Sequence, residues 1–173
     1  AKTHGHPRVR TMGGTTWMVP VVRRNPSDTC RVIAVPTACA GTLSATRTLT
    51  PEEVTAFAQA VGDTNPVHHD PAFAASTRFG RLIASGTQTS AMLLGLTASH
   101  FSRETAMVGL EFWLRFRRPI YADETIELEW LVVEVTASER LGGWLVDLRG
   151  RIRGEDGRTA LGAKGLVLVT ARL

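Results

Sequence analysis

Apolar positions along this chain recur with two periods, one after the other. Between residues 50 and 101 the spacing is helical. Val54, Phe57, Ala58 and Val61 fall at i, i+3, i+4 and i+7, one face of an α-helix. Thr50-Pro51-Glu52-Glu53 ahead of them reads as its start, with Thr50 as N-cap, proline in the first turn and Glu53 completing a capping box. Gly62 ends it. Asp70-Pro71 opens a short second helix to about residue 76. Residues 86–101 read as a longer helix, whose inner part Ala91-Met92-Leu93-Leu94-Gly95-Leu96-Thr97-Ala98 is apolar nearly all round. A helix of that kind is expected to be buried, and its small side chains let it lie close to a sheet.

From residue 108 the period falls to two. Val108, Leu110, Phe112, Leu114 and Phe116 alternate with Gly109, Glu111, Trp113, Arg115 and Arg117. Ile126, Leu128, Trp130 and Val132 repeat the pattern, as do Trp144, Val146 and Leu148. These are half-buried antiparallel strands. Asp156-Gly157 marks a hairpin turn before a last strand at 161–169. Residues 43–49 make a first strand ahead of the helices. Helices followed by a run of strands predict an α+β domain rather than βαβ units. Residues 1–40, with four prolines, Gly13-Gly14 and several arginines, do not fit this pattern and read as an extension of unclear role. Its apolar runs at 17–22 and 32–35 are candidate strands. The regular domain is residues 41–173.

At 173 residues, with 43% apolar and 21% charged positions, the chain is one globular domain with a sizeable core. The formal charge is +4, carried by arginine, because Lys2 and Lys164 are the only lysines. A modest positive charge favours anionic ligands. Nucleic acid is disfavoured as a partner, for want of a basic helix, a zinc pattern or an RNP-type aromatic motif. Cys30 and Cys39 form no CxxC or Cys/His metal spacing and read as free thiols. His4, His6 and His100 have no company that would make them metal ligands. There is no secretory signal and no apolar run of membrane-spanning length, so a cytoplasmic location is expected, away from membranes.

The candidate chemistry lies in Gly62-Asp63-Thr64-Asn65-Pro66-Val67-His68. Asn-Pro initiates a turn, since proline fixes its own φ and keeps the residue before it out of the α region. That turn can bring Asp63 and His68 to face one water, and a carboxylate and imidazole sharing a water can add it to, or remove it from, a double bond. On these residues alone a plain turn is the preferred reading, with Asp63 and Asn65 bonding nearby backbone and His68 at the surface. Likewise Gly86 reads as a tight turn into the long helix, Asp70 as a helix cap, and His69 as a surface residue.

The longer pattern resembles a known family. Phe57-Ala58-Gln59-Ala60-Val61-Gly62-Asp63, Asn65-Pro66-Val67-His68, Asp70-Pro71-Ala72-Phe73-Ala74 and Arg78-Phe79-Gly80-Arg81-Leu82-Ile83-Ala84-Ser85-Gly86 are similar, in order, to the MaoC-like, or hydratase 2, family of (R)-specific enoyl-thioester hydratases and dehydratases. Arg115-Phe116-Arg117-Arg118-Pro119 and Asp123-Glu124-Thr125 add weaker matches. The resemblance implies a single hot-dog domain, a long central helix wrapped by a curved antiparallel sheet. It implies that Asp63 and His68 are the acid-base pair, that Asn65 supports the water, and that the Gly86 N–H binds the thioester carbonyl. It implies an acyl-CoA or acyl-carrier-protein substrate, with Arg78, Arg81, Arg115, Arg117 and Arg118 as candidates for the nucleotide phosphates, and a homodimer. With no metal cluster, dinucleotide fingerprint or nucleophile elbow, no cofactor is expected. The alternatives within the fold are a non-catalytic acyl-thioester-binding subunit and a thioesterase.

Overall fold

The computed structural model describes residues 8–10 and 35–171. In chain order the elements are β1 (Arg8–Arg10), a 3-10 turn (Thr37–Cys39), β2 (Thr42–Thr48), α1 (Pro51–Ala60), a second 3-10 turn (Pro66–His68), α2 (Pro71–Ser76), α3 (Gly86–Phe101), β3 (Ala106–Phe116), β4 (Thr125–Ser138), β5 (Gly143–Arg153) and β6 (Thr159–Thr170). Every strand pairing is antiparallel, in the order β1-β4-β5-β6-β3, with β2 also on the outer edge of β4. The sheet packs on α3, which touches β2, β3, β4 and β5. This is the α+β hot-dog arrangement expected from the sequence.

Local chemistry sets the helix ends. Thr50 Oγ1 accepts from Glu53 N–H at 3.2 Å and Glu53 Oε2 accepts from Thr50 N–H at 3.1 Å, the expected capping box. Gly62 ends the α1 region at φ +72°, a left-handed conformation that glycine adopts without strain. Asp70 caps α2 by accepting from Ala72 and Phe73 N–H. Ser85 caps α3 by accepting from Gln88 N–H at 3.2 Å.

Trp130 of β4 fixes helix to sheet. Its fully buried indole donates to Leu93 O of α3 at 2.7 Å. The ring fills space left by glycines on the next two strands: a Cβ on Gly150 would lie 2.5 Å from it, and one on Gly165 3.4 Å. Phe112 packs at its side, with ring centroids 5.9 Å apart.

Two expectations need correction. The long helix is not buried all round: Gln88, Thr89, Leu93, Thr97 and Phe101 are buried, while Thr87, Ala91, Gly95 and Ala98 are exposed. The sheet covers one side only, and a stripe of small residues lies on the other. On β3, Phe112 and Leu114 are half-buried, but Val108, Leu110 and Phe116 are exposed. A register shift between Gly109 and Glu111 puts Val108 out of phase with Phe112 and Leu114, and among the described residues β3 is paired on one side only.

Toward the N-terminus, β1 pairs Arg8–Arg10 with Thr136, Val135 and Glu134, a strand no apolar pattern marked. The run at 17–22, most of that at 32–35, and Cys30 lie outside the described residues. Cys39 is a free, fully buried thiol in the main core, and burial pushes it up to about 12. Among the described residues, no helix is long and apolar enough to cross a membrane.

Candidate active site

The loop after α1 is held at Asp63 through its backbone N–H and one carboxylate oxygen. Its N–H donates to Ala58 O at 2.9 Å, and its Oδ1 accepts from Asn65 N–H at 3.0 Å. Its other carboxylate oxygen, Oδ2, lies 3.6 Å from His68 Nε2. The Asn65 side chain accepts from Val67 N–H at 3.4 Å, an N-cap on the Pro66–His68 turn. The turn the sequence implied therefore exists, and it brings the acid and the imidazole together. Asn65 is exposed and contributes to the pair through its backbone N–H and its cap.

His68 is buried, and its ring is fixed by a long-range contact. Nδ1 lies 2.7 Å from Ile83 O. A carbonyl only accepts, so Nδ1 carries the hydrogen, and in the neutral ring Nε2 presents its lone pair toward Asp63. The His68 backbone is held as well: Thr55 Oγ1 of α1 donates to His68 O at 3.1 Å, and Ile83 N–H donates to Val67 O at 3.3 Å.

His68 and Gly86 line one cavity of about 320 Å³, with Phe79, Ile83, Phe116, Ile120 and Leu161 on its apolar walls. Gly86 opens α3, so its N–H is among the first-turn donors that have no partner within the helix. Its φ is not left-handed. Space here is tight: a Cβ would sit 3.0 Å from the edge of the Phe116 ring, so any larger residue would have to shift that ring.

The arginines divide. Arg78, Arg117 and Arg118 line the cavity, and Arg81 and Arg115 are not among its lining residues. Arg81 lies over the Tyr121 ring, 4.5 Å from its centroid, and Arg115 is exposed on β3. Arg118 is paired with Asp156, and that guanidinium, with the Arg158 N–H, holds the Asp156 carboxyl below the usual carboxylate range. Arg78 lies 5.0 Å from the Phe79 ring centroid. Among the described residues, no cluster of His, Cys, Asp or Glu could hold a metal ion.

Several contributors were not legible in the sequence. Ile83 acts through a main-chain carbonyl, which leaves no trace in residue type. Thr55 sits on α1 with nothing to mark its hydroxyl. His69, read as a surface residue, is half-buried and bonds Asp63 O through Nε2. Its adjacency to the motif was the one available signal.

The hot-dog domain, with the His68 imidazole on the cavity and Asp63 behind it, points to one class of protein. The chain belongs to the MaoC like domain family, which it matches over residues 39–143, more than half its length. It is 38% identical over 85 residues to the (R)-specific enoyl-CoA hydratase of Aeromonas caviae, a match covering 49% of this chain and 60% of that protein. It is 32% identical over 88 residues to the 3-hydroxybutyryl-CoA dehydratase of Methylorubrum extorquens, covering 51% of this chain and 55% of the relative. The chain thus spans between about half and three fifths of the curated relatives it matches. Among solved structures, it resembles the (R)-hydratase from A. caviae involved in PHA biosynthesis with a TM-score of 0.64 and 29% identity, covering 74% of this chain and 94% of that one.

Proposed function

We propose that this protein is a hydro-lyase that adds water to enoyl thioesters, or removes it from (R)-3-hydroxyacyl thioesters, with Asp63 and His68 as the acid-base pair. The observation that carries this reading is the 3.6 Å separation of Asp63 Oδ2 and His68 Nε2. It is too long for a direct hydrogen bond and suits two groups that share one water. The names of the similar proteins, a hydratase and a dehydratase of CoA thioesters, support the same reaction.

In hydration, one of the two groups takes a proton from the shared water as its oxygen bonds to the β-carbon. A proton from the pair goes to the α-carbon, on the same face, and dehydration reverses both transfers. Negative charge develops on the thioester oxygen as the β-carbon is attacked. In this reading the Gly86 N–H stabilises it, supported by its position at the positive end of α3. The apolar walls take the acyl chain. Arg78 and Arg117, which line the cavity without the ion pair that engages Arg118, are the stronger candidates for the phosphates of a CoA carrier.

The unit is a homodimer in this reading. Among the described residues β3 pairs only with β6 and its other edge is open, and it exposes Val108, Leu110 and Trp113. An open, apolar edge invites pairing with a second chain. Incubation with crotonyl-CoA tests the function. Loss of the enoyl-thioester absorbance without release of free thiol is expected. Thiol release would indicate a thioesterase, and binding without turnover a non-catalytic subunit.

A further inference from the structure

Asp63 stands on an open loop, with 29% of its side chain exposed. A carboxylate so placed keeps one aim only if the peptide units on both sides are held. On the amino side, the Asp63 N–H is bonded to Ala58 O. On the carboxyl side, the peptide unit leading to Thr64 carries the Asp63 carbonyl, which accepts a hydrogen bond from His69 Nε2. His69 is itself anchored, since its backbone N–H donates to Pro66 O at 3.0 Å. Two adjacent imidazoles therefore reach the same residue, His68 at its carboxylate and His69 at its carbonyl.

From this geometry we infer that His69 is a positioning residue for the proposed reaction: its ring N–H clamps the Asp63 peptide and so holds the carboxylate at the water-sharing distance from His68. This inference rests on the reading of Asp63 and His68 as the working pair. His69 meets no reacting atom and acts through Asp63. A carbonyl only accepts, so the clamp needs a donor at the reach of Nε2 and does not need a charge. Without it the Asp63 carbonyl loses its side-chain anchor and the carboxylate is left to the Asn65 N–H alone, and a misplacement of about 1 Å at a reacting group costs about 100-fold in rate.

Three variants test it, His69→Gln, His69→Asn and His69→Ala, with Asp63→Asn measured beside them on crotonyl-CoA. Glutamine sets its amide nitrogen about as far from the main chain as Nε2, whereas asparagine stops at the place of Nδ1. His69→Gln should keep a kcat close to that of the unaltered protein. His69→Asn and His69→Ala should lose about 10- to 100-fold in kcat, with KM nearly unchanged because no group that binds substrate is altered. Circular dichroism checks that each variant folds, and if the alanine variant does not, the glutamine–asparagine contrast decides. Unaltered kcat in His69→Asn beside an inert Asp63→Asn would overturn the clamp and leave the pair standing. Equal losses in His69→Gln and His69→Asn would overturn it too, since reach would not matter. An active Asp63→Asn would remove the pair, and the inference with it.

Discussion

At the scale of single residues, the proposed function assigns some groups to react and others to bind, and the two kinds should respond differently to substitution. Asp63→Asn and His68→Ala should each leave a folded protein whose kcat is lower by orders of magnitude, because each partner is of little use without the other. Steady-state hydration of crotonyl-CoA measures this, and near-normal turnover by either variant would remove the mechanism. The arginines should behave differently. Phosphates far from the reacting carbons bind alike in ground and transition states, so Arg78→Ala and Arg117→Ala should raise KM more than they lower kcat. The increase should shrink as salt rises. Arg81→Ala and Arg115→Ala, off the cavity, should change KM little. Kinetics at two ionic strengths separate the pairs. Cys39 offers a pH test. Burial raises its thiol from 9.0 to about 12, so the folded state favours the protonated form. The associated stability is intact below 9.0 and is lost as pH climbs from there toward about 12. In a Cys30→Ser background, a thiol reagent at pH 8 should label nothing until denaturant is added.

At the scale of elements, the site depends on how α1 and α3 are fixed. The capping box at Thr50 begins the helix that delivers Thr55 and, beyond Gly62, Asp63. Thr50→Ala should cost about 1 kcal/mol of stability in urea titration and leave the chemistry in place. The layer around Trp130 is less forgiving. A methyl on Gly150 would meet the indole at 2.5 Å, closer than any side chain tolerates. Gly150→Ala should therefore destabilise by about 1–3 kcal/mol. It should also disturb α3, because the displaced indole loses its bond to Leu93 O. By contrast, the cross-strand pairs Arg151–Glu129 and Arg153–Glu127 on β5 and β4 lie in partly exposed positions. Exposed pairs contribute about 0–1 kcal/mol each, so they tune the sheet more than they hold it.

At the scale of the whole molecule, the proposed homodimer would join at the edge of β3 that is open among the described residues. Light scattering coupled to gel filtration should return twice the 18.8 kDa of the chain. Val108, 59% exposed on that strand, is the position to test. Val108→Lys sets a charge on the edge and should shift the mass toward that of one chain. A single-chain mass for the unaltered protein would dismiss the homodimer. The cavity lies partly between α3 and β3, with Gly86 on one and Phe116 on the other. Loss of pairing at β3 should therefore lower activity as well.

What the sequence determined is what local rules govern. The Thr50 capping box, the Asp70 cap, the Asn65-Pro66 turn and the alternation along β4 and β5 each depend on neighbours a few positions away. Hydrogen-bond type and periodicity are written in those residues directly. The register shift in β3 escaped because a bulge depends on the fit to β6, not on the alternation of β3 itself. The exposed stripe of α3 escaped because an all-round apolar helix does not say which side the sheet will cover. At the site, only the tertiary structure set the tautomer of His68, through a carbonyl fifteen positions on. It alone laid Phe116 against the open face of Gly86 and divided the arginines into those on the cavity and those off it. Such contacts join segments far apart in the chain, often through backbone atoms that every residue carries alike, and only the closing of the sheet around α3 decides which of them meet.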